Sequence, residues 1–526
     1  MNAPRWICAL FQARRWVLLI GGGLFLAGCA GIVLAQGGRL QPGGPPLPRS
    51  GPSLDTTTAL PPATPTPEAQ RPWPEYRLWA RLVPGPSPQI RGEETIVFSN
   101  PAATPLETLV LRLYPNLPSY GGRLEVADVT VNGHPVTGTR TQLDSALELA
   151  LPKPLQPGQT ALIRMAFTTT LPTQVIAGSV GQGIFGYVDR VYDLAEFYPL
   201  LAVHDGTDWR VSAAAVEFGD MIFSQTAYYR VRLTVPPGHQ VVASGTVLQR
   251  SRLPDGQETW YLAAGPIRSF YVAVSDHYQG LTAMAGRVRL HSYYLPGRRP
   301  GAQRILDVAR QALPIFEDLF GPYPHRELEF VPMPTTGYGM EHSEVLAIAP
   351  QLYVAGTALD FAVLHELAHL WWYETVGNDP VAEPWLDEAL ADYTVVLYYE
   401  AIGDLHTAQW VLARYRDWME AARRWHRDRP VAGSLDQFSQ QQYLEVVYAK
   451  GALFLHQVRL RMGDAPFRAA LAEYARAYRY EIATGADLLR ILQRHSPVPL
   501  DDLVITWLGM APPPPRPDAN EALMER

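Results

Sequence analysis

The chain has 526 residues, of which 47% are hydrophobic and 18% are charged, and its formal net charge is −7. This length exceeds what one ordinary hydrophobic core supports, so we expect two or three domains. A weakly acidic chain lacks the cationic surface that nucleic-acid binding requires, which excludes nucleic acid as a partner. The two cysteines, Cys8 and Cys29, precede the predicted folded region, so we expect domains without disulfides.

Residues 1–35 predict a membrane segment. Arg14 and Arg15 precede an apolar run from Trp16 to Ala35, which would be about 30 Å long as a helix and would span a bilayer. Positive charge on its N-terminal side predicts that the rest of the chain lies outside the cytoplasm. Three fates stay open: an uncut anchor, lipidation at Cys29, and cleavage after Ala35. We favour the uncut anchor, because the apolar run continues past Cys29.

Two segments lack the composition of a folded domain. Residues 36–72 are rich in Pro, Gly, Ser and Thr, which is typical of an extended tether. The Pro512–Pro515 run begins a polar segment, and we expect a flexible tail over residues 512–526. The folded part is therefore predicted to be residues 73–511.

Residues 73–285 alternate apolar and polar side chains over short runs. Turn signals such as Asn132-Gly133 and Pro237-Gly238 separate these runs. Alternation with a period of two indicates strands with one buried face, so we predict an N-terminal antiparallel β-sandwich over residues 73–285. The predicted strands are Glu94 to Phe98, Leu109 to Leu113, Val126 to Val131, Leu147 to Leu151, Ala161 to Phe167, Tyr228 to Val235 and Gln240 to Ala243.

Residues 286–511 predict a second, α/β domain that is mostly helical. A strand from Arg287 to Tyr294 precedes an amphipathic helix from Gly301 to Phe320, which Gly321-Pro322 ends. Short strands are predicted at Leu328 to Pro332 and Leu346 to Ala349. Helical patterns dominate from residue 361 onward, with predicted helices at Thr407 to Trp425, Tyr443 to Met462, Pro466 to Tyr478 and Ala486 to His495.

A metal-binding pattern lies at the start of this helical part. His365 and His369 are four residues apart, so both imidazoles face the same side of one helix and can reach one metal ion. We expect that helix to end at Gly377-Asn378 and a second helix, starting at Pro384, to bring in Glu388 as a third ligand. Two His and one Glu leave a coordination place for water, which predicts a zinc site.

The residue next to the first histidine supplies a candidate base. Glu366 is not a predicted ligand but points close to the open coordination position. A carboxylate beside a water molecule activated by zinc is suited to take its proton and return it to a leaving amine. The pattern therefore predicts a zinc hydrolase with Glu366 as general base.

Three motifs together resemble the aminopeptidase N family of gluzincin zinc metallopeptidases. The first is the run from His365 to Asp379 followed by Glu383-Pro-Trp-Leu-Asp-Glu388. Upstream, Gly339-Met340-Glu341 resembles the family's Gly-x-Met-Glu-Asn motif, and downstream Tyr448-Ala-Lys-Gly resembles its Tyr-x-Lys-Gly motif. The likeness covers about residues 73–510 and implies a thermolysin-like catalytic domain. The family's Pro-Cys-x-Asp-Glu-Pro stretch is missing, which indicates a divergent bacterial branch, and we expect no large helical C-terminal domain.

The resemblance implies a zinc aminopeptidase that acts on peptides. It assigns Glu341 to binding the substrate's free α-ammonium group, Gly339 and Met340 to the substrate-binding segment that precedes Glu341, and Tyr448 to stabilising the oxyanion. His342 and the residue before Gly339 depart from the family's motif, so Glu344 is kept as a second candidate for the ammonium-binding role. Two further interpretations stay open: another zinc hydrolase, either an endopeptidase or an epoxide hydrolase, and a catalytically inactive scaffold.

The predicted anchor and tether give a first test. The full-length chain should fractionate with membranes because the Trp16 to Ala35 run inserts into the bilayer. Deleting residues 1–72 should release a soluble, active enzyme. Fractionation with immunodetection measures this, and full-length protein in the cytosol would contradict the expected location.

Overall fold

The computed structural model describes residues 73–174, 185–211, 218–334, 337–354 and 356–513. They belong to one compact unit, Pro72–Arg526. The predicted anchor, the predicted tether and most of the predicted tail lie outside the described residues. Among the helices that are described, none combines the length and the apolar character needed to cross a membrane.

The N-terminal part is built from β-strands that alternate buried and half-exposed residues. Its largest described sheet has eight strands in the order β16-β17-β14-β1-β2-β8-β4-β5. The strands of this part are β1 Glu75–Val83, β2 Gln89–Ser99, β3 Leu106–Arg112, β4 Arg123–Val131, β5 His134–Pro135, β6 Gly138–Thr141, β7 Ala146–Leu155, β8 Thr160–Thr170, β9 Phe185–Val188, β10 Val191–Leu194, β11 Leu200–Leu201, β12 Val203–His204, β13 Trp209–Arg210, β14 Ala227–Val235, β15 Gln240–Ala243, β16 Thr246–Arg252, β17 Glu258–Ile267 and β18 Val272–Ser275.

The predicted multistranded β region is confirmed, with one departure from the antiparallel prediction. All seven predicted strands lie within or overlap observed strands. Strands β1 and β14 pair in parallel, with Glu75 opposite Tyr228 and Leu78 opposite Val231. A parallel pair needs a long crossover, and the chain between these two strands contains most of the β region. Local alternation does not reveal such a long-range pairing.

A separate sheet, of five strands, carries one side of the functional site. Its order is β19-β20-β21-β23-β22, so β22 is an edge strand within the described sheet. Strand β22 is joined to β23 by a tight turn at Ser343 and Glu344. The predicted domain boundary after residue 285 falls in the turn between β19 and β20. These strands are β19 Gln279–Ala285, β20 Val288–Tyr294, β21 Glu327–Pro332, β22 Gly339–His342 and β23 Val345–Ile348.

Helices follow and surround this sheet. The first one buries its predicted apolar face, which includes Ile305, Val308 and Phe316, and it ends at Gly321 as predicted. The described helices of at least eleven residues are α1 Arg299–Phe320, α2 Thr357–Ala368, α3 Trp385–Ala401, α4 Leu405–Arg424, α5 Gly451–Met462, α6 Asp464–Ala477 and α7 Gly485–His495. The segments Leu370–Thr375 and Tyr443–Lys450 form wider, π-helical turns.

The predicted end of the metal-binding helix is wrong. Regular α2 ends at Ala368 rather than at residue 377, and Trp372 and Tyr373 have non-helical backbone angles. The side chains of Trp371 and Trp372 are almost fully buried here, and their indole N–H groups donate to Gly321 and Thr394. Packing of these two large rings in the core therefore replaces continuation of the helix.

The β region and the helical region are joined by buried polar contacts. Arg268, directly after β17, donates to the carbonyl oxygens of Tyr373 and, at 2.7 Å, Glu481. The Ser244 hydroxyl, directly after β15, donates to the Ser343 carbonyl oxygen at 2.7 Å. Buried hydrogen bonds of this kind tie the turn after β22 and the segment after α2 to the β region.

Candidate metal centre

Helices α2 and α3 bring together the three predicted metal ligands. Nε2 of His365 lies 3.1 Å from Nε2 of His369. Oε2 of Glu388, in the first turn of α3, lies 3.2 Å from the first nitrogen and 3.5 Å from the second. All three side chains are buried. The two histidines lie one turn apart on α2, and Pro384 precedes α3 as predicted.

These spacings fit a tetrahedral zinc ion. Ligand atoms about 2.0–2.1 Å from one zinc in tetrahedral geometry lie about 3.3 Å from each other. Nδ1 of His365 lies 2.9 Å from Oδ1 of Asp392, and Nδ1 of His369 lies 3.0 Å from the Trp372 carbonyl oxygen. Because both partners only accept, each Nδ1 carries the proton and each Nε2 turns a lone pair toward the other ligands.

The second oxygen of Glu388 is held by two tyrosines. Oε1 accepts hydrogen bonds from Tyr448 and, at 3.2 Å, from Tyr443. This leaves Oε2 as the atom that faces the histidines. Burial alone would raise the pKa of Glu388, but the neighbouring His365 and His369 outweigh burial and hold that pKa well below its usual range. Glu388 is therefore ionised and presents one oxygen, Oε2, to the two histidines.

The predicted base lies beside this cluster. Burial raises the pKa of Glu366 to about 8, and the neighbouring histidines oppose this shift. Its Oε2 is buried and accepts no hydrogen bond from the part of the chain that the structure describes. A carboxylate oxygen without a protein partner at this point is available to a water molecule.

Glu341 lies on the other side of the same cluster. Carboxylate oxygens of Glu341 and Glu366 and a nitrogen of His369 all lie within 4.8 Å of one another. Burial raises the pKa of Glu341, and the charge of His369 opposes the shift. Gly339 lets β22 approach α2, because a Cβ at this position would lie 2.6 Å from Cδ of Glu366. Met340 is buried in the same strand.

The structure also locates His342, which departs from the family's motif, and Glu344, the second candidate for the ammonium-binding role. His342 is buried, and its ring stacks on Tyr271 with centroids 3.9 Å apart. Alternation along β22 thus directs this ring toward the β region and Glu341 toward the metal centre. Glu344 does not join the metal centre, because its Oε1 lies 3.0 Å from Nδ1 of His325.

Two residues at the site were missed in the sequence. No sequence pattern indicated Tyr443. It precedes Tyr448 by five residues, and two residues at this spacing lie on the same face of a π-helix but not of an α-helix. Asp220 follows Gly219, at which an added Cβ would lie 3.1 Å from the Tyr443 hydroxyl. Burial, and then the charge of Glu341, raises the pKa of Asp220 well above its usual range. The β region therefore adds an acidic group to the site.

Comparison with known proteins finds similarity to the same family. Residues 304–507 match the peptidase family M1 domain. Aminopeptidase M1-B of Oryza sativa subsp. japonica is 26% identical over 53% of this chain and 34% of its own length. Aminopeptidase N of Streptomyces lividans is 25% identical over 73% of this chain and 45% of its own length. The chain thus spans a third to a half of the length of these curated relatives.

A solved structure has the same fold over nearly its whole length. It is a mutant of the M1 zinc metallopeptidase from Deinococcus radiodurans bound to a Tyr-Ser-Ala substrate. The TM-score is 0.63 at 23% sequence identity, and the match covers 84% of this chain and 94% of that one. This chain therefore shares with that structure the fold of a β region followed by a helical domain, and zinc is a metal that fits the donor set.

Metal content tests the site directly. The purified chain should contain about one zinc per molecule and lose it to chelators, because three buried protein donors converge on one point. Elemental analysis before and after dialysis against a chelator measures this. Protein that contains no zinc when purified with zinc in the buffer would contradict the assignment.

The partner of His365 gives a sharper test. Asp392→Ala should weaken zinc binding about 10–100-fold, because the imidazole loses the group that fixes its orientation and tautomer. Asp417→Ala is the matched control, since Asp417 is an exposed carboxylate on α4 that pairs with Arg414. Competition with a chromogenic chelator gives both affinities. Equal zinc affinity in the two variants would remove Asp392 from the metal centre.

Proposed function

We propose that this chain, a member of peptidase family M1, is a zinc-dependent aminopeptidase that removes N-terminal residues from peptides outside the cytoplasm. The observation that carries the proposal is the position of Glu341, a buried carboxylate within 4.8 Å of both Glu366 and the ligand His369. A carboxylate so close to the reacting atoms suits a substrate with a free α-ammonium group next to its scissile bond. The proposed location rests on the Trp16 to Ala35 run.

The predicted zinc ligands and the predicted base have separate roles in the proposed hydrolysis. His365, His369 and Glu388 would hold zinc, which supplies a Lewis acid that polarises the scissile carbonyl and lowers the pKa of water. Glu366 takes the proton of the attacking water on its free Oε2 and delivers it to the leaving amine. This return of the proton leaves the carboxylate ready for the next turnover.

Tyr448 is the proposed oxyanion donor. Its hydroxyl donates to Oε1 of Glu388, and its half-exposed side chain borders the site. When the scissile carbonyl develops negative charge, a phenol at this position can donate to that oxygen instead. Tyr443 also donates to Oε1, so the ligand keeps one hydrogen bond when Tyr448 turns to the substrate.

The edge strand gives the substrate backbone a partner. Strand β22 pairs with β23 on one side, and a peptide can add to its other side as a further strand. Glu341 would then bind the peptide's α-ammonium group, and Asp220 is a second carboxyl group on the β-region side. A cluster of carboxylates at one end of such a groove favours an exopeptidase over an endopeptidase, because the backbone of an internal peptide segment carries no cation.

Two substitutions test the chemistry. Glu366→Gln should keep zinc but lower kcat about 10²- to 10⁴-fold, because the general base is removed without a ligand being lost. Tyr448→Phe should lower kcat with little change in KM, since its hydrogen bond to substrate forms in the transition state. Steady-state kinetics with zinc analysis separates the two effects. Near-full turnover by either variant would refute that residue's role.

A blocked substrate tests the proposed aminopeptidase activity. Amino-acid amides with a free α-amine should be cleaved and their N-acetylated counterparts should not, because acetylation removes the cation that pairs with Glu341. Glu341→Ala should reduce this preference while zinc stays bound. Fluorogenic amides measure both rates. Equal cleavage of free and acetylated substrates by the unmodified enzyme would instead support an endopeptidase or another zinc hydrolase.

A further inference from the structure

A buried histidine lies between two carboxylates behind the site. Nδ1 of His325, directly before β21, lies 3.0 Å from Oε1 of Glu344, and its Nε2 lies 2.9 Å from Oε1 of Glu374. The first two side chains are 9% exposed and that of Glu374 is 1% exposed. The contact with Glu374 is a charge pair rather than a well-aligned hydrogen bond. A neutral ring would turn a lone pair toward one carboxylate, so this arrangement favours the imidazolium.

The charges around the ring agree with this protonation state. Burial opposes the charged form, but Glu344 and Glu374 outweigh it and raise the pKa of His325 well above its usual range. The Arg268 guanidinium is a second cation that interacts with Glu374. The other titratable groups that face the cluster in the described structure are Tyr323, Glu329 and Tyr480.

The cluster joins two segments that carry site residues. Glu344 lies in the tight turn that follows β22, two residues after His342, and Glu341 lies in that strand. Glu374 lies in the π-helical segment that follows α2, and its amide donates to the carbonyl oxygen of His369 at 3.0 Å. One side of the cluster is therefore attached to the ammonium-binding strand and the other to a metal ligand's own backbone.

The backbone conformation of the turn indicates that the contact of Glu344 with His325 has a role. Glu344 has a φ of 62°, in the left-handed region that residues with a Cβ rarely adopt. The backbone amide of Glu344 donates to Oε2 of Glu374 at 3.4 Å. Its backbone carbonyl oxygen accepts a hydrogen bond from the amide of Glu329 at 2.9 Å. Glycine would adopt this conformation more easily, so a glutamate here indicates that the side chain is used.

We propose that His325 is a positioning residue whose ring, together with Glu344 and Glu374, forms a clamp that fixes Glu341 relative to His369. Strand β22 is at the edge of the sheet that the described residues form, so its distance from the metal centre depends on contacts beyond strand pairing. The clamp acts on the strand's turn, and it reaches His369 through the backbone carbonyl oxygen rather than through the imidazole. This inference rests on the proposed function, because it concerns the residue that binds the substrate's α-ammonium group.

The test compares two histidine variants. His325→Gln removes the charge of the clamp, and His495→Gln is the matched control, since His495 pairs with a single glutamate, Glu473, at 2.6 Å between α6 and α7. In His325→Gln, KM for amides with a free α-amine should rise about tenfold or more while kcat changes much less, because substrate positioning is loosened without loss of the base. Zinc content should stay at one per chain, and the control should keep the KM of the unmodified enzyme.

A second readout does not depend on activity. Hydrogen exchange followed by mass spectrometry should show faster exchange in residues 339–348 and 370–376 of His325→Gln, because both ends of the clamp are released. His325→Lys restores a cation between the two carboxylates and should recover most of the KM. If the unmodified enzyme cleaves no amide with a free amine, the proposed function fails, and hydrogen exchange still decides whether the clamp exists.

Glu344→Gly provides a variant that should fold even if His325→Gln does not. It removes one carboxylate and also relieves the positive φ, so it opens the clamp without adding backbone strain. It should raise KM as His325→Gln does. Unchanged KM and unchanged exchange in either folded variant would overturn the clamp. Loss of zinc and turnover together would overturn it as well, since it would show a general structural role.

Discussion

The crowding of buried carboxylates around two histidines is the constraint on which the rest of the site depends. Glu341, Glu366 and Glu388 all lie against His365 or His369, and all are buried. Removing several like charges from water is unfavourable unless a cation compensates them. Burial raises the pKa of Glu341 and Glu366, because it disfavours the charged form of each carboxyl group. A divalent cation held by His365, His369 and Glu388 would offset the charge that Glu341 and Glu366 retain.

The β region contributes to this arrangement directly. The buried Arg268 guanidinium reaches from the β region to the segment after α2, where its fit requires a glycine: a Cβ on Gly377 would lie 2.5 Å from its Nε. Its backbone amide and the Ser244 hydroxyl also bond to Ser343 in the turn after β22. The same turn carries Glu344 of the clamp. The strand that bears Glu341 is thus fixed from the β region and from the helical region at once.

Sequence patterns predicted those parts of the molecule that depend on residue spacing within one helix or strand. The spacing of His365, His369 and Glu388 predicted a cluster that the structure brings within 3.5 Å, because an α-helix fixes residues four apart. The wide turn at Trp372 and Tyr373 was not predictable, since buried packing overrode helical continuation there. The parallel pairing of β1 with β14, the approach of Asp220 and the Glu344–His325 contact all join residues far apart in sequence, and no local pattern encodes them.

The position of β22 explains why the β region and the proposed exopeptidase specificity belong together. One edge of the strand is paired with β23, and its alternate side chains face opposite ways: Glu341 toward the metal centre and His342 onto Tyr271 of the β region. The β region also brings Gly219 against Tyr443, whose hydroxyl donates to the ligand Glu388. A substrate strand added along β22 would therefore meet Glu341 and Asp220 where the β region packs against the site. This supports a groove that ends at an ammonium-binding position, because carboxylates buried there lower their free energy by pairing with a substrate cation.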